Sequence, residues 1–352
     1  MKTPKNYIYI CSKEVLCMSK AFITGEEGFI ARNLRRIGIL SNRLGYINPW
    51  LKENCHLNDK GEIDFVETDL NKLKRALVDN ECNVIIHNGA SVGTDVCALN
   101  SRRAIMNNVL GTYNIATIAK ELKIPIVYIG TTVIYDTQIL QKRWLTEEDP
   151  IFPRTLYATT KYEGELIIRA YCQESKYCIL RPLFCYGGEG DMNSLIAKTI
   201  FNDVTGRKKN FKIFLNPEKI KDYMHVDDFC SAIVEAATMN TILTSNDDYN
   251  ISADNPVSTR DIVDEIEYNG IDTSYIQWIP ETDYLGNHRV DNAKFKHATR
   301  GCWEPKISLA TGVKMVRESY GNHTDVKYDP FKHLDNIEKN DINIETHYNF
   351  KG

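Results

Sequence analysis

The chain has 352 residues, 43% hydrophobic and 26% charged, enough for a sizeable core and, at about 150 residues per domain, for two lobes. A formal net charge of -4 gives no electrostatic case for nucleic acid, and no apolar run approaches the roughly 20 residues that cross a bilayer. Ten cysteines without C-x-x-C pairing and eight histidines without metal-like spacing assign no metal; buried free thiols in a reducing, cytoplasmic compartment are expected instead.

The amino terminus, "MKTPKNYIYICSKEVLCMSK", has too short an apolar core for a secretory signal. Met18 opens "MSKAFITG", a natural beginning for a first strand, so residues 1–18 are read as an extension. "AFITGEEGFIARNL" then places Gly25 and Gly28 after that strand and before a helix. Glycines in this context allow a tight turn and close approach of backbone to a pyrophosphate, which sits on the helix amino terminus. Ala31 stands at the third glycine position and still permits close packing of helix on strand. About twenty positions beyond Gly28, where an acidic residue usually holds the ribose of NAD, stands Asn48. Asparagine can bond a ribose without repelling a 2′-phosphate, which leaves NADP open, while the absence of an obvious arginine clamp beside Asn48 favours NAD.

Short apolar runs follow in order: "LGYIN", "NVIIHNGA", "IPIVYIGTT" and "KYCILRPL". Between them lie helical patterns such as "NNVLGTYNIATIAKEL" (107–122). This alternation predicts an α/β fold, a Rossmann-type doubly wound parallel sheet over residues 19–184 that binds ligands at the carboxyl ends of its strands. In "YATTKYEGE" Tyr157 and Lys161 are one helical turn apart on one face. A fixed positive charge beside a phenol favours phenolate, the form a general base needs. From about residue 185 the alternation weakens, which predicts a smaller substrate-binding α/β lobe over 185–329, with some segments returning to the Rossmann core. Residues 330–352 are polar and read as a tail.

Ten stretches stand in a specific order: "TGEEGFIA", "ETDL", "IIHNGAS", "NNVLGT", "VYIGTTVIYD", "YATTK", "LRPLFCYG", "KDYMHVDDFCSAI", "YNISADNPVS" and "RVDNAKFK" with "GCWEPKISLATGV". In these the chain resembles the extended short-chain dehydrogenase/reductase family, in particular its NAD-dependent nucleotide-sugar epimerase/dehydratase branch. The resemblance implies that Gly25, Gly28, Phe29 and Ile30 form the pyrophosphate turn and that Asp69 and Leu70 meet the adenine. It places Gly89, Ala90, Asn108 and Pro182 beside the dinucleotide. Thr131, Tyr157 and Lys161 would be catalytic, with Lys161 holding the cofactor ribose and lowering the tyrosine pKa. Thr132, Phe184, Asn193, Leu195, Lys221 and Arg289 would meet the nucleotide-sugar. Phe184 stands where relatives commonly carry asparagine, and Lys221 where they carry arginine, which keeps the charge and loses the bidentate fork.

Dehydratases of this branch typically carry Asp-Glu after the catalytic hydroxyl; here Thr132 and Val133 follow Thr131, and neither can shuttle a proton as a carboxylate does. The resemblance therefore implies a 4-epimerase acting through a 4-keto sugar. The alternatives are an NADPH-dependent reductase or epimerase-reductase of a keto-sugar nucleotide, with a dehydratase ranked lower, and, in another class, a catalytically silent dinucleotide-binding sensor or scaffold. Many relatives dimerise through the tyrosine helix and the helix before it, so a homodimer is expected by analogy.

Overall fold

The computed structural model describes residues 19–48, 56–57, 63–135, 143–191, 194–206, 213–278 and 287–321. The expected extension (1–18), the polar tail (330–352) and Asn193 lie outside the described residues.

In chain order the elements are β1 (Ser19–Thr24), α1 (Phe29–Ser41), β2 (Leu44–Tyr46), α2 (Leu70–Asp79), β3 (Val84–His87), α3 (Thr94–Leu99), α4 (Ser101–Ile105), a π turn (Met106–Leu110), α5 (Gly111–Leu122), β4 (Ile126–Ile129), α6 (Leu156–Tyr171) and β5 (Tyr177–Pro182). There follow β6 (Cys185–Tyr186), α7 (Leu195–Val204), β7 (Ile213–Leu215), β8 (Ile220–Asp222), β9 (Met224–His225), α8 (Val226–Thr238), α9 (Asn240–Leu243), β10 (Asp247–Ile251), β11 (Pro256–Ser258), α10 (Thr259–Tyr268), β12 (Ile276–Trp278), α11 (Ala293–Ala298) and α12 (Leu309–Gly321). Local chemistry sets several boundaries. Asn42 and Lys123 take left-handed conformations (φ 54° each) just past α1 and α5, and the Asp69 and Thr155 side chains cap α2 and α6.

Six strands form one parallel sheet in the order β10-β5-β4-β3-β1-β2. Its inner strands are apolar on both faces because helices cover both. Ala31 and Leu34 of α1 and Phe229 and Ile233 of α8 pack on one side against Ile23, Ile86 and Leu180. On the other, Leu73, Ile115 and Ile168 of α2, α5 and α6 meet Phe22, Ile85 and Ile179. The strand order reverses between β1 and β3, which opens a crevice at their carboxyl ends.

Beyond β5 the chain builds three two-stranded pairs, β6 with β9, β7 with β12 and β8 with β11. A separate core of Tyr186, Ile196, Ile200, Ile262, Ile266 and Val313 joins α7, α10 and α12. Strand β10 and helix α8 return to the main sheet. Trp303 locks the last segment onto α8: its indole donates to the Asp228 carbonyl (3.1 Å) and to Ser231 (3.0 Å). Among the described residues no helix is long and apolar enough to cross a membrane.

Cys82, Cys97, Cys172, Cys178 and Cys230 are buried free thiols and Cys185 is a half-buried one. Cys302 departs from the expectation of free thiols throughout: it is disulfide-bonded, on a half-exposed turn after α11.

Beneath the carboxyl ends of β4 and β5, and reaching the start of β10, lies a buried ion cluster. Arg181, 1% exposed, donates to both oxygens of Glu165 (2.8 to 3.2 Å), to Tyr135 (2.7 Å), and pairs with Asp248 (2.6 Å). Gly130 leaves room for it, since a Cβ there would lie 2.6 Å from Glu165 Oε1. Removing one member of such a cluster strands a buried charge. Arg181→Ala should therefore lose roughly 3–5 kcal/mol in urea unfolding, whereas Arg181→Met with Glu165→Met should recover most of it.

Candidate active site

The crevice begins at a backbone cradle. Gly25 has φ +64°, and a Cβ there would come within 2.7 Å of Gly89 Cα. Both positions thus require glycine, one for its conformation and both for the close approach of two strand ends. Thr24 holds them together: its hydroxyl accepts from Gly89 N (2.7 Å) and bonds His87 Nδ1 (2.7 Å). His87 is fully buried, bonds Thr112 through its other nitrogen (2.9 Å), and burial together with the charge of Lys161 lowers its pKa to about 3. It is a structural histidine. Gly28 N donates to Gly25 O (3.0 Å), closing the turn, and Phe29 and Ile30 then open α1, whose first N–H groups have no partner inside the helix. Ala90 continues the loop after Gly89. This surface of bare backbone and helix amino terminus fits a dinucleotide pyrophosphate.

The second half of the crevice is side-chain chemistry. Thr155 caps α6 two residues before Tyr157, accepting from Ala158 N (3.2 Å), and so sets where the tyrosine emerges. The Tyr157 hydroxyl is hydrogen-bonded to Thr131, at the end of β4. One turn on, Lys161 is 4% exposed, its ammonium 4.3 Å from the centre of the Tyr128 ring. Tyr128 reaches this place because residue 164 is glycine; a Cβ there would lie 2.2 Å from its hydroxyl, which donates to Lys161 O (3.1 Å).

Burial governs the electrostatics of the tyrosine and the lysine. Burial pushes the Tyr157 phenol up to about 12, opposed by the Thr131 hydrogen bond and reinforced by the Cys97 and Cys185 thiols. Burial also brings Lys161 down to about 7, opposed by Glu165 one turn further along the same face. Desolvation is the largest effect on both groups, so in the protein alone the phenol is neutral at pH 7 and the lysine gives up its proton far more readily than an exposed one.

Other expected contacts are placed differently. Asn48, 1% exposed, accepts from Ile23 N (2.9 Å) and donates to Ile23 O (2.5 Å); its amide is turned into the sheet and away from a ribose. Asn108 is likewise enclosed, accepting from Ser91 N (2.7 Å) and donating to Ser91 O and Thr160 (3.0 Å each). It braces the loop after β3 against α6. Thr132 is fully buried with its hydroxyl on the carbonyl of Pro182 (3.4 Å), facing the sheet end instead of a substrate. Asp69 is exposed and caps α2 through Asn71 N (2.9 Å) and Lys72 N (3.4 Å), with Leu70 as the first helical residue.

Phe184 stacks on Tyr223 (5.5 Å, 25°), and the Lys221 ammonium lies 5.3 Å from its ring centre. Arg289 joins them along the backbone: its neighbour His288 donates to Ile220 O (2.9 Å), next to Lys221. Leu195 instead packs into the core around Tyr186. Sequence reasoning missed Glu165, although its place eight residues after Tyr157 puts it on the same helical face.

The model of the NAD dependent epimerase/dehydratase family matches residues 21–252. A putative UDP-glucose 4-epimerase of Methanocaldococcus jannaschii is 26% identical over 310 residues, covering 84% of this chain and 96% of its own. The UDP-glucuronic acid 4-epimerase of Bacillus cereus, solved with UDP-glucuronic acid and NAD, has a TM-score of 0.71 at 20% identity, covering 86% of this chain and 99% of that one. The dTDP-glucose 4,6-dehydratase of Bacillus anthracis, solved with NAD, has a TM-score of 0.69 at 20% identity, over 87% and 97%. These likenesses show the Rossmann-like fold.

The lysine yields a stability prediction. Between about pH 7 and pH 10.5 the unfolded chain keeps this proton and the folded chain releases it, so its penalty on folding is full below pH 7 and fades as pH rises. Lys161→Met should raise Tm at pH 7, by roughly 1–3 kcal/mol of stability, with the gain shrinking toward pH 10 in parallel thermal melts.

Proposed function

The chain belongs to the NAD dependent epimerase/dehydratase family, and from that premise we propose that it is a nucleotide-sugar 4-epimerase working through a transient 4-keto sugar. One observation carries this reading: the hydrogen-bonded hydroxyls of Thr131 and Tyr157 stand one helical turn from a buried lysine at the crevice, and neither of the two residues after Thr131 is a carboxylate. NAD, when bound, supplies acceptance and return of a hydride at the sugar carbon; the remaining steps belong to the protein.

Gly25, Gly28, Phe29, Ile30, Gly89 and Ala90 would hold the pyrophosphate on bare backbone, with Asp69 and Leu70 toward the adenine and Pro182 at the far end of the crevice. Lys161 would bond the ribose beside the nicotinamide. Tyr157 takes the proton from the C4 hydroxyl and gives it back after the keto sugar has turned, while Thr131 hydrogen-bonds the oxygen throughout. The tyrosine becomes a useful base only where added positive charge offsets its burial, and Lys161 is the chain's own part of that charge. Lys221 and Arg289 would meet the diphosphate, and Phe184, held by Tyr223, would wall the sugar pocket. Residues 185–329 thus act mainly as the substrate lobe over the Rossmann core of 19–184.

Ile105, Tyr113 and Leu166 on α4, α5 and α6 are exposed apolar side chains (46%, 40% and 47%) and suit a homodimer face. Light scattering should give a dimer at micromolar concentration; a monomer would refute this.

For the reaction, NMR of nucleotide-sugars with NAD should show the C4 epimer without NADH building up at 340 nm. Tyr157→Phe should lower kcat roughly 10²–10⁴-fold and Thr131→Val by a smaller factor, both with native circular dichroism. Stoichiometric consumption of NADPH with a keto-sugar nucleotide would move the assignment to a reductase.

A further inference from the structure

Asn48 leaves the end of β2 without the acidic residue that usually reads the adenosine ribose, yet a carboxylate occupies that corner. Glu26, directly after Gly25, is 2% exposed and accepts a hydrogen bond from the hydroxyl of Tyr46, the last residue of β2. The carboxylate is therefore fixed where the ends of β1 and β2 meet, and in a doubly wound sheet the adenosine ribose crosses this corner. Burial, and then Glu26 itself, raise the Tyr46 pKa far above the ordinary phenol range, so Tyr46 stays the donor of this pair. Nearby positive charge is already engaged: Arg32 and Arg35 both approach Glu27 (3.5 and 3.8 Å), and Arg35 lies over the Tyr46 ring (5.5 Å).

We propose that Glu26 is the cofactor-selecting residue of this chain: its carboxylate accepts from the 2′- or 3′-hydroxyl of the adenosine ribose and repels a 2′-phosphate, so that NAD is taken in preference to NADP. The inference rests on the dinucleotide reading of the crevice given above. A ribose offers two hydroxyl donors that a fixed carboxylate can accept. A 2′-phosphate offers only acceptors and like charge, and selection by repulsion needs no tighter grip on the correct ligand.

Isothermal titration calorimetry of NAD and of NADP to the full chain and its variants tests this without reference to turnover. Wild type should bind NAD at least about tenfold more tightly than NADP, and Glu26→Gln should narrow that ratio about tenfold or more, chiefly by gaining NADP affinity. Arg35→Ala should leave the wild-type order in place, and it carries the test if Glu26→Gln does not fold. Wild type that prefers NADP, a Glu26→Gln variant with the wild-type ratio, or an Arg35→Ala variant that loses NADP binding tenfold would each overturn the role of Glu26 while sparing the cofactor reading. Wild type that binds neither dinucleotide would overturn both.

Discussion

Glu165 and Arg181 face each other wholly inside the protein, two charges removed from water and joined by several hydrogen bonds. Such a pair adds little net stability compared with apolar residues of the same size. Its consequence is geometric. Arg181 belongs to β5 and reaches Asp248 of β10 and Tyr135 beyond β4, while Glu165 belongs to α6. One cation therefore registers the strand ends against the helix that carries Tyr157 and Lys161. Tyr135 passes the constraint on to Asn250 (2.9 Å), and Gly130 keeps the space open next to Thr131. The hydroxyl pair and the lysine thus sit on a rigid frame.

The same helix face explains the electrostatics. Tyr157, Lys161 and Glu165 follow one another at four-residue intervals, from the open crevice into the dry interior. The deeper charge partly supports the lysine, and burial weakens both Lys161 as a cation and Tyr157 as an acid. A site of this kind is poised: it holds a neutral phenol until more positive charge arrives. At the other end of the crevice the logic is reversed. Bare backbone at Gly25, Gly28 and Gly89 invites a pyrophosphate, and the Glu26 carboxylate beside Tyr46 limits how much negative charge can be accommodated there.

Much of this was legible in the residue order, for physical reasons. The inner strands of "KAFITG", "NVIIHNGA", "IPIVYIGTT" and "KYCILRPL" announce themselves because parallel strands buried on both faces are apolar throughout, and "LGYIN" at the sheet edge is the weakest of the five signals. The glycine turn and the Tyr157–Lys161 spacing are local patterns and needed no tertiary knowledge. What could not be read was the direction of side chains that have two possible partners. Asn48 could face a ribose or Ile23, Thr132 a sugar or Pro182, and Asn108 a cofactor or Ser91; in each case a backbone group of a distant segment is the partner. Desolvation is equally invisible in one dimension, which is why the burial that raises the Tyr157 pKa could not be read from its spacing to Lys161. The small strand pairs beyond β5 join residues far apart in the chain, such as β8 with β11, and short strands of this kind leave only faint periodicity.

The central claim, that the chain inverts a sugar carbon and returns the hydride it removes, is tested most directly with a nucleotide-sugar deuterated at C4. Incubation with the protein and NAD, followed by mass spectrometry and NMR of the product, should show the C4 epimer with the deuterium still on C4. Loss of the label from the epimer, or a keto or reduced sugar formed with net turnover of the cofactor, would contradict it.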